Sequence, residues 1–583
     1  MCVLLLVMIL KYIVSPALPA ATALFLIAIV SNLVRLWLFF SKKSLLIIWT
    51  ILNYNSSNLS LPIILDSWGL LFASIVFFIS ANIIIFSLYY IEGDKSLSRF
   101  IHLILLFVAS IIFLILIPNM ITLLLGWDGL GLVSFILVIF YQNNKSLAAG
   151  IITALTNRIG DVLILLAIIW MLSQGHWFIL SPFFSALPNT TTLITIVMIA
   201  AITKRAQIPF RSWLPAAIAA PTPVSALVHS STLVTAGVFL LLRLYPFLSL
   251  SPIFNMMLLI AGSSTILIAG TVATLENDIK KVIALSTLRQ LGVIITRLSL
   301  GMFTFTFFHL ISHALFKALL FICAGNIIHL HHHSQDLRFI GNIRIQSPLI
   351  NSCLVVSNLA LCGAPFLAGF YSKDIIIESS LFIFFNNVIT VMFLVATLLT
   401  AAYSTRFLIR VAIAPRASLP VSPINDERLL ISTPTLNLRA GAITAGAIIS
   451  WFAIAPILET PLPLTQKTIA LFLTLGGGAL LIIAINTKFN TSLTPIISFS
   501  KAAFFMTAMW SLTPTSSQLL LRRPFSVSKA SLKLIDQGWL EVLGPQGLFW
   551  VLSTTRSYQN QPQQLVINKQ LVLIFSFVLF SLL

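Results

Sequence analysis

A lysine beside a broken helix is the first candidate for chemistry in this sequence. An apolar run ends at Lys204 and is followed by several prolines, the first of which is Pro209. Proline removes a backbone donor and clashes with the preceding turn, so the helix should break shortly after Lys204. A lysine at the centre of a bilayer costs roughly 2.5–3.5 kcal/mol on insertion scales. The pattern therefore predicts an ion or proton site, whereas the alternative is a lysine at a helix end that reaches the headgroups.

The same arrangement occurs again later in the chain. Residues 361–374 contain an apolar run, the helix breaker Pro365, and then Lys373. Non-helical backbone is tolerated at membrane depth only where it is buried in protein or lines a watery cavity. Two broken segments in corresponding positions favour a transporter that is built from repeats.

A row of titratable side chains lies between these two segments. His309, His313 and Lys317 are four residues apart, so they share one face of a helix. Two imidazoles beside an ammonium, without a carboxylate, make a poor metal site. Because imidazole can accept at one nitrogen and donate from the other, the row favours a hydrogen-bonded proton chain with water. His229, on the apolar run after the first break, is a further candidate.

Carboxylates are rare in this region. Asp128 lies between apolar flanks and among glycines that allow neighbouring helices to approach closely. A carboxylate there must be paired, hydrated or protonated. Arg158 and Asp161 are three residues apart and can pair on one helical face. That pair either holds helices together or tunes the charge of Asp128, and Asp128 itself is either a proton partner or a structural carboxylate.

Composition decides the class of protein. The chain has 583 residues, of which 58% are hydrophobic and 8% are charged, against about 25% charged in an average soluble domain. Repeated apolar runs of helical span length predict an all-α polytopic membrane protein with roughly 14–16 transmembrane helices. The net charge of +19 is spread thinly and favours contacts with anionic lipid over nucleic acid. The first residues lack the features of a signal or transit peptide.

Four regions are expected along the chain. Residues 1–100 should hold the N-terminal helices, with a polar loop at Asn53–Ser60, and residues 101–415 the core that carries the candidate proton residues. Residues 416–490 should add further spans. Residues 491–583 mix apolar and basic side chains, which predicts an interfacial helix followed by a terminal anchor span. The histidines of 329–333 look like a metal-binding tract but are better explained as an interfacial loop.

Four motifs in order give a specific resemblance. Gly126–Gly131, Thr203–Gly237, His309–Lys317 and Gly363–Asp374 together resemble the antiporter-like membrane subunits of respiratory complex I, NADH–ubiquinone oxidoreductase. The segment GWDGLGLVSF resembles the corresponding segment of arthropod mitochondrial members of this family. The resemblance covers nearly the whole chain and is weakest before residue 60 and between about 415 and 530.

Site residues follow from the resemblance by motif. It implies that Asp128 is the acidic partner of the central lysine, Lys204, and that Arg158 and Asp161 form the family's basic–acidic pair. It implies a proton route along His229, His309, His313 and Lys317 to Lys373. Two departures stand out: many relatives have glutamate at the position of Asp128, and Arg205 stands where a small residue is usual.

The resemblance also implies a setting. It implies inverted antiporter-like repeats with two discontinuous helices, and a C-terminal helix that runs laterally beside sister subunits. The chain would carry no cofactor, with NADH, FMN, Fe–S clusters and ubiquinone on other subunits. Partners would be the sister antiporter-like chains 4 and 2, accessory subunits and lipids such as cardiolipin, in the mitochondrial inner membrane. The expected function is proton translocation coupled to electron transfer from NADH to ubiquinone elsewhere in the complex.

Two rival functions remain open at this point. A stand-alone or Mrp-type antiporter would exchange a monovalent cation for protons, and would need oxygen ligands grouped around the cation. A purely structural subunit of the membrane arm, which moves no protons, would explain the C-terminal helix. It would leave the lysines and histidines of the core without a purpose.

Overall fold

The structure of the chain is a computed structural model. It describes residues 16–54, 57–94, 96–172, 177, 190–382, 387–415, 428–452, 462–486, 504–507, 510, 520–563 and 567–582. Residues 416–427 lie outside these ranges, as does most of the stretch from 487 to 519.

The first half of the chain contains seven long helices and a hairpin. They are α1 Ala17–Ser41, β1 Leu45–Tyr54, β2 Ser57–Leu65, α2 Ser67–Tyr90, α3 Leu97–Leu116, α4 Met120–Val138, α5 Asn144–Leu172, α6 Thr190–Lys204 and α7 Leu233–Leu248. Short helical pieces precede α7, namely Trp213–Ala216, Ala217–Ala219, Thr222–Val224 and the π-helix Ser225–Thr232.

The second half is also helical. Its long helices are α8 Pro252–Leu275, α9 Ile279–Ser299, α10 Phe303–Leu330, α11 Pro348–Cys362, α12 Ile375–Phe382, α13 Asn387–Leu408, α14 Leu429–Phe452, α15 Leu464–Asn486, α16 Leu520–Ser531, α17 Pro545–Gln563 and α18 Ile567–Leu582. Shorter pieces are Ile343–Gln346, Leu540–Leu543 and the π-helices Phe370–Asp374, Ile409–Ile413 and Leu532–Trp539.

The predicted class of all-α polytopic membrane protein is confirmed. Among the described residues, 11 helices are long and apolar enough to cross a membrane, and three shorter apolar helices accompany them. The predicted number of 14–16 is reached only when the shorter helices are counted. Two of those shorter helices, α6 and α11, are short because each ends at a predicted break.

Both predicted helix breaks are present. Helix α6 ends at Lys204, and α-helix resumes only at Trp213, so Pro209 lies in the break. Helix α11 ends at Cys362, where Gly363 adopts a φ of 91° in the left-handed region that glycine tolerates. Pro365 follows within this second break, before the π-helix that carries Lys373. Each break thus leaves a lysine next to backbone that is not held in an α-helix.

The segment predicted as a polar loop is part of a β-hairpin. Strands β1 and β2 pair antiparallel from Leu45 opposite Leu65 to Tyr54 opposite Ser57, with an irregularity near Thr50. The stretch LLIIWTILNY is rich in isoleucine and aromatic residues, which suit a strand. Its apolar character made it resemble part of a membrane span in the sequence analysis, so the hairpin was not predicted.

The interior of the bundle is built around α9 and α10. The most apolar 18-residue windows of both helices are fully buried. Helix α10 carries the row of histidines and lysine, so every member of that row lies inside the protein rather than against lipid. Polar side chains on α9 face the same interior, because residues 286–290 of that helix are all buried.

The chain divides into two compact units, Met1–Leu512 and Thr513–Leu583. Within the second unit, α16 and α17 expose large apolar side chains such as Trp550 alongside basic ones such as Arg523. Helix α18 has 16 residues, which is about 24 Å of helix and less than the roughly 30 Å of a hydrocarbon core.

Candidate functional site

Lys204 is completely buried at the last position of α6. Its ammonium nitrogen Nζ donates a hydrogen bond of 2.5 Å to the backbone oxygen of Trp127 on α4. The same nitrogen lies 3.8 Å from the centroid of the Trp127 ring. A cation over the face of tryptophan is attracted by the ring quadrupole, so one residue contacts the lysine in two ways.

Trp127 also contacts the nearest carboxylate. Its indole N–H donates a hydrogen bond of 2.8 Å to Oδ1 of Asp161, which lies on α5. The other oxygen of that carboxylate, Oδ2, is 3.4 Å from a guanidinium nitrogen of Arg158. The Arg158 side chain is 55% exposed and that of Asp161 only 9%, so the row Lys204–Trp127–Asp161–Arg158 runs from the interior towards the surface.

Asp128, which the resemblance implies is the acidic partner of Lys204, lies next to Trp127 on α4 and interacts electrostatically with Lys204. None of the ion pairs found among the described residues joins it to Lys204. Both Asp161 and Asp128 interact electrostatically with Lys204. The Oδ1 atom of Asp128 is buried without a hydrogen-bond partner in the described part of the chain.

A close helix contact fixes the position of α4. A Cβ atom placed on Gly126 would lie 2.7 Å from the backbone nitrogen of Leu114 and 2.8 Å from the backbone oxygen of Ser110. Both atoms belong to α3, so only glycine allows α3 and α4 to approach this closely. This contact sits next to Trp127 and holds the backbone of α4 close to α3 at that point.

The first break is stabilised by a second tryptophan. The indole N–H of Trp213 donates a hydrogen bond of 3.0 Å to the backbone oxygen of Thr203, which also accepts one of 3.3 Å from the backbone N–H of Ala206 in the turn that ends α6. The Trp213 ring centroid is 6.4 Å from that of His229. His229 is buried in the π-helix Ser225–Thr232, which packs against both α7 and α10. Trp213 therefore contacts both the end of α6, where Lys204 lies, and the π-helix that carries His229.

The second cluster joins α10 to the second break. His309 Nδ1 is 3.0 Å from Oγ of Ser372, and its Nε2 is 3.3 Å from Oε1 of Gln290 on α9. Ser312 Oγ is also 3.0 Å from Ser372 Oγ. Ser372 precedes Lys373, so His309 contacts the same short π-helix that carries the second lysine.

The remaining members of the row lie along α10. The ring centroids of His309 and His313 are 6.3 Å apart. Within the described ranges, neither ring nitrogen of His313 has a hydrogen-bond partner, although the side chain is fully buried. One turn further on, Lys317 donates a hydrogen bond to Oγ of Ser286 on α9.

Lys373 closes the second break. Its Nζ atom donates a hydrogen bond of 2.7 Å to the backbone oxygen of Cys362, the last residue of α11, and one of 3.3 Å to Oγ1 of Thr400 on α13. The lysine thus satisfies a carbonyl at the end of a broken helix, where a positive charge is also favoured by the helix dipole.

Several contact residues were not identified from the sequence. Trp127, Ser372 and Thr400 are ordinary core types, and nothing in their spacing marks them. Ser286 and Gln290 could have been found, because they are four residues apart on α9 and match the spacing of the row on α10.

Two buried arginines of α9 were also missed. Arg297 donates a hydrogen bond of 2.9 Å to the backbone oxygen of Ile376, and Arg289 donates one to that of Ala396. They hold α9 against α12 and α13, the helices that follow the second break.

The histidine tract lies at the end of α10. His329 Nδ1 is 3.0 Å from the hydroxyl oxygen of Tyr89, and His331 to His333 form a turn. In the loop that follows, the Arg338 side chain donates hydrogen bonds to Asp336 and holds the pKa of that carboxyl below its usual range. The described residues contain no group of three or more metal-ligating side chains placed to hold a metal ion.

Family comparisons cover nearly the whole chain. Residues 117–400 match the family described as NADH:quinone oxidoreductase/Mrp antiporter, TM. Residues 403–583 match NADH dehydrogenase subunit 5 C-terminus, and residues 49–101 match the NADH-Ubiquinone oxidoreductase (complex I), chain 5 N-terminus.

Individual relatives and one solved structure agree with this. The NADH-ubiquinone oxidoreductase chain 5 of Lumbricus terrestris is 48% identical over 88% of this chain and 89% of its own length. That of Anopheles gambiae is 42% identical over 91% of both chains. A chain of the Mrp complex from Dietzia sp. DQ12-45-1b superposes with a TM-score of 0.70 at 22% identity, covering 91% of this chain and 62% of its own length. That likeness shows a shared fold, and the close relatives show that the chain belongs to the NADH-ubiquinone oxidoreductase chain 5 family.

Proposed function

We propose that this chain translocates protons across a membrane as an antiporter-like subunit of a complex I-type assembly. The observation that carries the proposal is the buried contact of Lys204 with Trp127, which in turn contacts Asp161. An amine in this position can hold or release a proton, because burial favours its neutral form whereas Asp161 and Asp128 favour its charged form. The cluster therefore has the components of a proton-storage site.

The proton route runs from Lys204 to Lys373. His229 lies on an element packed against α10, which carries His313 and Lys317. His309 reaches Ser372, the neighbour of Lys373 in the second break. Water would bridge the gaps between these side chains, since imidazole and hydroxyl groups both donate and accept. The burial of these side chains and the contacts between their helices therefore support the proton route, in addition to the spacing of the residues in the sequence.

Energy for this movement must come from outside the chain. Moving one elementary charge against 100 mV costs about 2.3 kcal/mol. We infer that electron transfer from NADH to ubiquinone supplies it, with FMN and Fe–S clusters on other subunits. The sister antiporter-like chains 4 and 2, accessory subunits and cardiolipin are the proposed partners, and the mitochondrial inner membrane is the proposed location.

The test is the substitution Lys204→Ala in the assembled complex, with Lys145→Ala as a control because Lys145 is exposed. We expect Lys204→Ala to reduce protons pumped per electron while the complex still assembles, and Lys145→Ala to pump normally. A normal proton-to-electron ratio in assembled Lys204→Ala complex would refute the proposal. Transport that requires Na⁺ or K⁺ in the same preparation would favour the cation/proton antiporter instead.

A further inference from the structure

A groove lies between α1, α2 and α14. It has a volume of about 370 Å³ and is lined mainly by apolar side chains, with Leu315 of α10 at its floor. Along α1 its lining extends from Phe25 to Arg35, which corresponds to about 15 Å of helix. The groove is therefore long, narrow and apolar over most of its length.

Arg35 is the charged residue of this groove. Its side chain lines the cavity although the residue is only 8% exposed. Its Nε atom has no hydrogen-bond partner among the described residues, and no carboxylate of those residues pairs with its guanidinium. A buried charge without a counter-charge is costly, so this position favours an anionic ligand.

Arg35 lies near the end of α1, from which a long basic side chain can reach towards the lipid headgroups. It lies six residues, or about 9 Å, before the end of α1 at Ser41. Lys42 and Lys43 follow directly and are exposed, as expected of residues at the headgroup level. The guanidinium is thus within a short distance of the membrane surface, whereas Phe25 lies towards the bilayer centre.

The other polar side chains gather at the same end. Arg428, which precedes α14, pairs at 3.0 Å with Glu92 at the end of α2, so α14 and α2 run in opposite directions. The C-terminal half of α14, with Thr444, therefore lies beside the N-terminal half of α2, with Ser74. Together with Asn32 and Arg35, these groups form the polar part of the lining, although Leu71 and Ile448 in the same half are apolar.

We propose that this groove binds one anionic phospholipid, whose phosphate pairs with Arg35 while an acyl chain lies along the apolar wall towards Phe25. Arginine pairs with phosphate through two parallel hydrogen bonds, and basic pockets between membrane helices bind anionic headgroups. The acyl chain would bury apolar surface that a free phosphate does not have. The site thus selects a ligand that is both anionic and long-chained.

The experiment uses the protein in its native complex, stripped of loosely bound lipid by detergent. The complex is incubated with vesicles of phosphatidylcholine and phosphatidylglycerol in equal parts, washed, and its retained lipids are counted by mass spectrometry. Arg35→Gln should retain one phosphatidylglycerol fewer per complex than the wild type. Arg35→Lys should retain it, because the charge is preserved. Arg99→Gln is the matched control, since Arg99 is exposed and outside the groove.

A second variant tests the apolar wall separately. Ala445 lines the groove, so Ala445→Phe should fill it and displace the phospholipid while Arg35 remains in place. If Arg35→Gln fails to assemble, this variant decides the question. Equal retention of phosphatidylglycerol by the wild type and Ala445→Phe, or retention of phosphatidylcholine in its place, would overturn the proposal.

Discussion

At the scale of single residues, Trp127 is the least expected member of the site. It contacts Lys204 through its backbone oxygen and its ring, and Asp161 through its indole N–H. The sequence analysis could identify the charged residues, because lysine and aspartate are rare in apolar segments. It could not identify a tryptophan, since aromatic residues are common in such segments and only the packing of three helices gives this one its role.

Trp127→Phe should separate the contacts of that residue. Phenylalanine keeps a ring beside Lys204 but has no N–H for Asp161. A hydrogen bond to a charged group contributes about 1.5–3 kcal/mol, so we expect proton pumping to fall about tenfold or more. The measurement is the rate of proton pumping as a function of pH. The pH profile should change in shape as well as in its maximum rate.

Trp68→Phe is the control for this substitution. Trp68 packs edge-on against Phe303 and Phe307, outside the proton site. If both variants lower pumping equally, with the same pH profile, Trp127 is only a packing residue.

The two carboxylates near Lys204 should differ in importance. Asp161→Asn keeps an acceptor for Trp127 but removes the negative charge that Trp127 connects to the lysine. We expect it to lower pumping more than Asp128→Asn, whereas Asp128→Glu should retain activity because the charge remains. Pumping by reconstituted complex measures the order.

Asp278→Asn is a suitable reference, because Asp278 pairs with Lys281 near the surface. A larger loss in Asp128→Asn than in Asp161→Asn would restore Asp128 as the main partner. This ranking illustrates a limit of motif matching, which gave the residues but not their distances from the lysine.

At the scale of helices and strands, the breaks were predictable and the hairpin was not. Proline and glycine act on the backbone locally, so Pro209 and Gly363 favour a break where they stand. The effect is not absolute, because Pro246 and Pro434 lie inside α7 and α14. Strands depend on a pairing partner further along the chain, and LLIIWTILNY gives the same hydrophobic signal as part of a span. Apolar runs of this length cannot be assigned from periodicity alone.

The contact of α3 with α4 gives a prediction for a single glycine. Gly126→Ala would place a methyl group within 2.7 Å of the α3 backbone, so the helices must separate. Overpacking of this kind costs about 1–3 kcal/mol. We expect a lower thermal unfolding temperature and weaker pumping, because Trp127 would move away from Asp161.

Gly131→Ala provides the comparison on the same helix. No heavy atom lies within 4 Å of a Cβ placed on Gly131, so this variant should unfold at the wild-type temperature. Equal unfolding temperatures for the two variants would show that α3 and α4 can adjust to the added methyl group.

At the scale of the whole molecule, the C-terminal unit should serve assembly rather than transport. Residues Thr513–Leu583 form a unit of their own and expose many large apolar side chains. Amphipathic surfaces of this kind bind lipid or protein. Truncation after Leu512 should therefore lower the amount of full complex on native gels while the remaining chain still inserts.

Truncation after Gln563 is the matched comparison, because it removes only α18 and the short link before it. We expect it to lower assembly less than removal of the whole unit. Wild-type levels of full complex without residues 513–583 would contradict an assembly role.

The β-hairpin also limits where the hydrocarbon layer can lie. The sheet in the described part of the chain has two strands, so each strand has an outer edge of N–H and C=O groups. Hydrocarbon offers such groups no partners, and open edges do not occur facing lipid tails. Asn119 satisfies one of them by donating a hydrogen bond of 3.0 Å to the backbone oxygen of Ser60. The hairpin therefore limits how far the hydrocarbon layer of the bilayer can extend. On the hairpin's side of the protein, that layer ends at or below the level of Leu45 and Leu65.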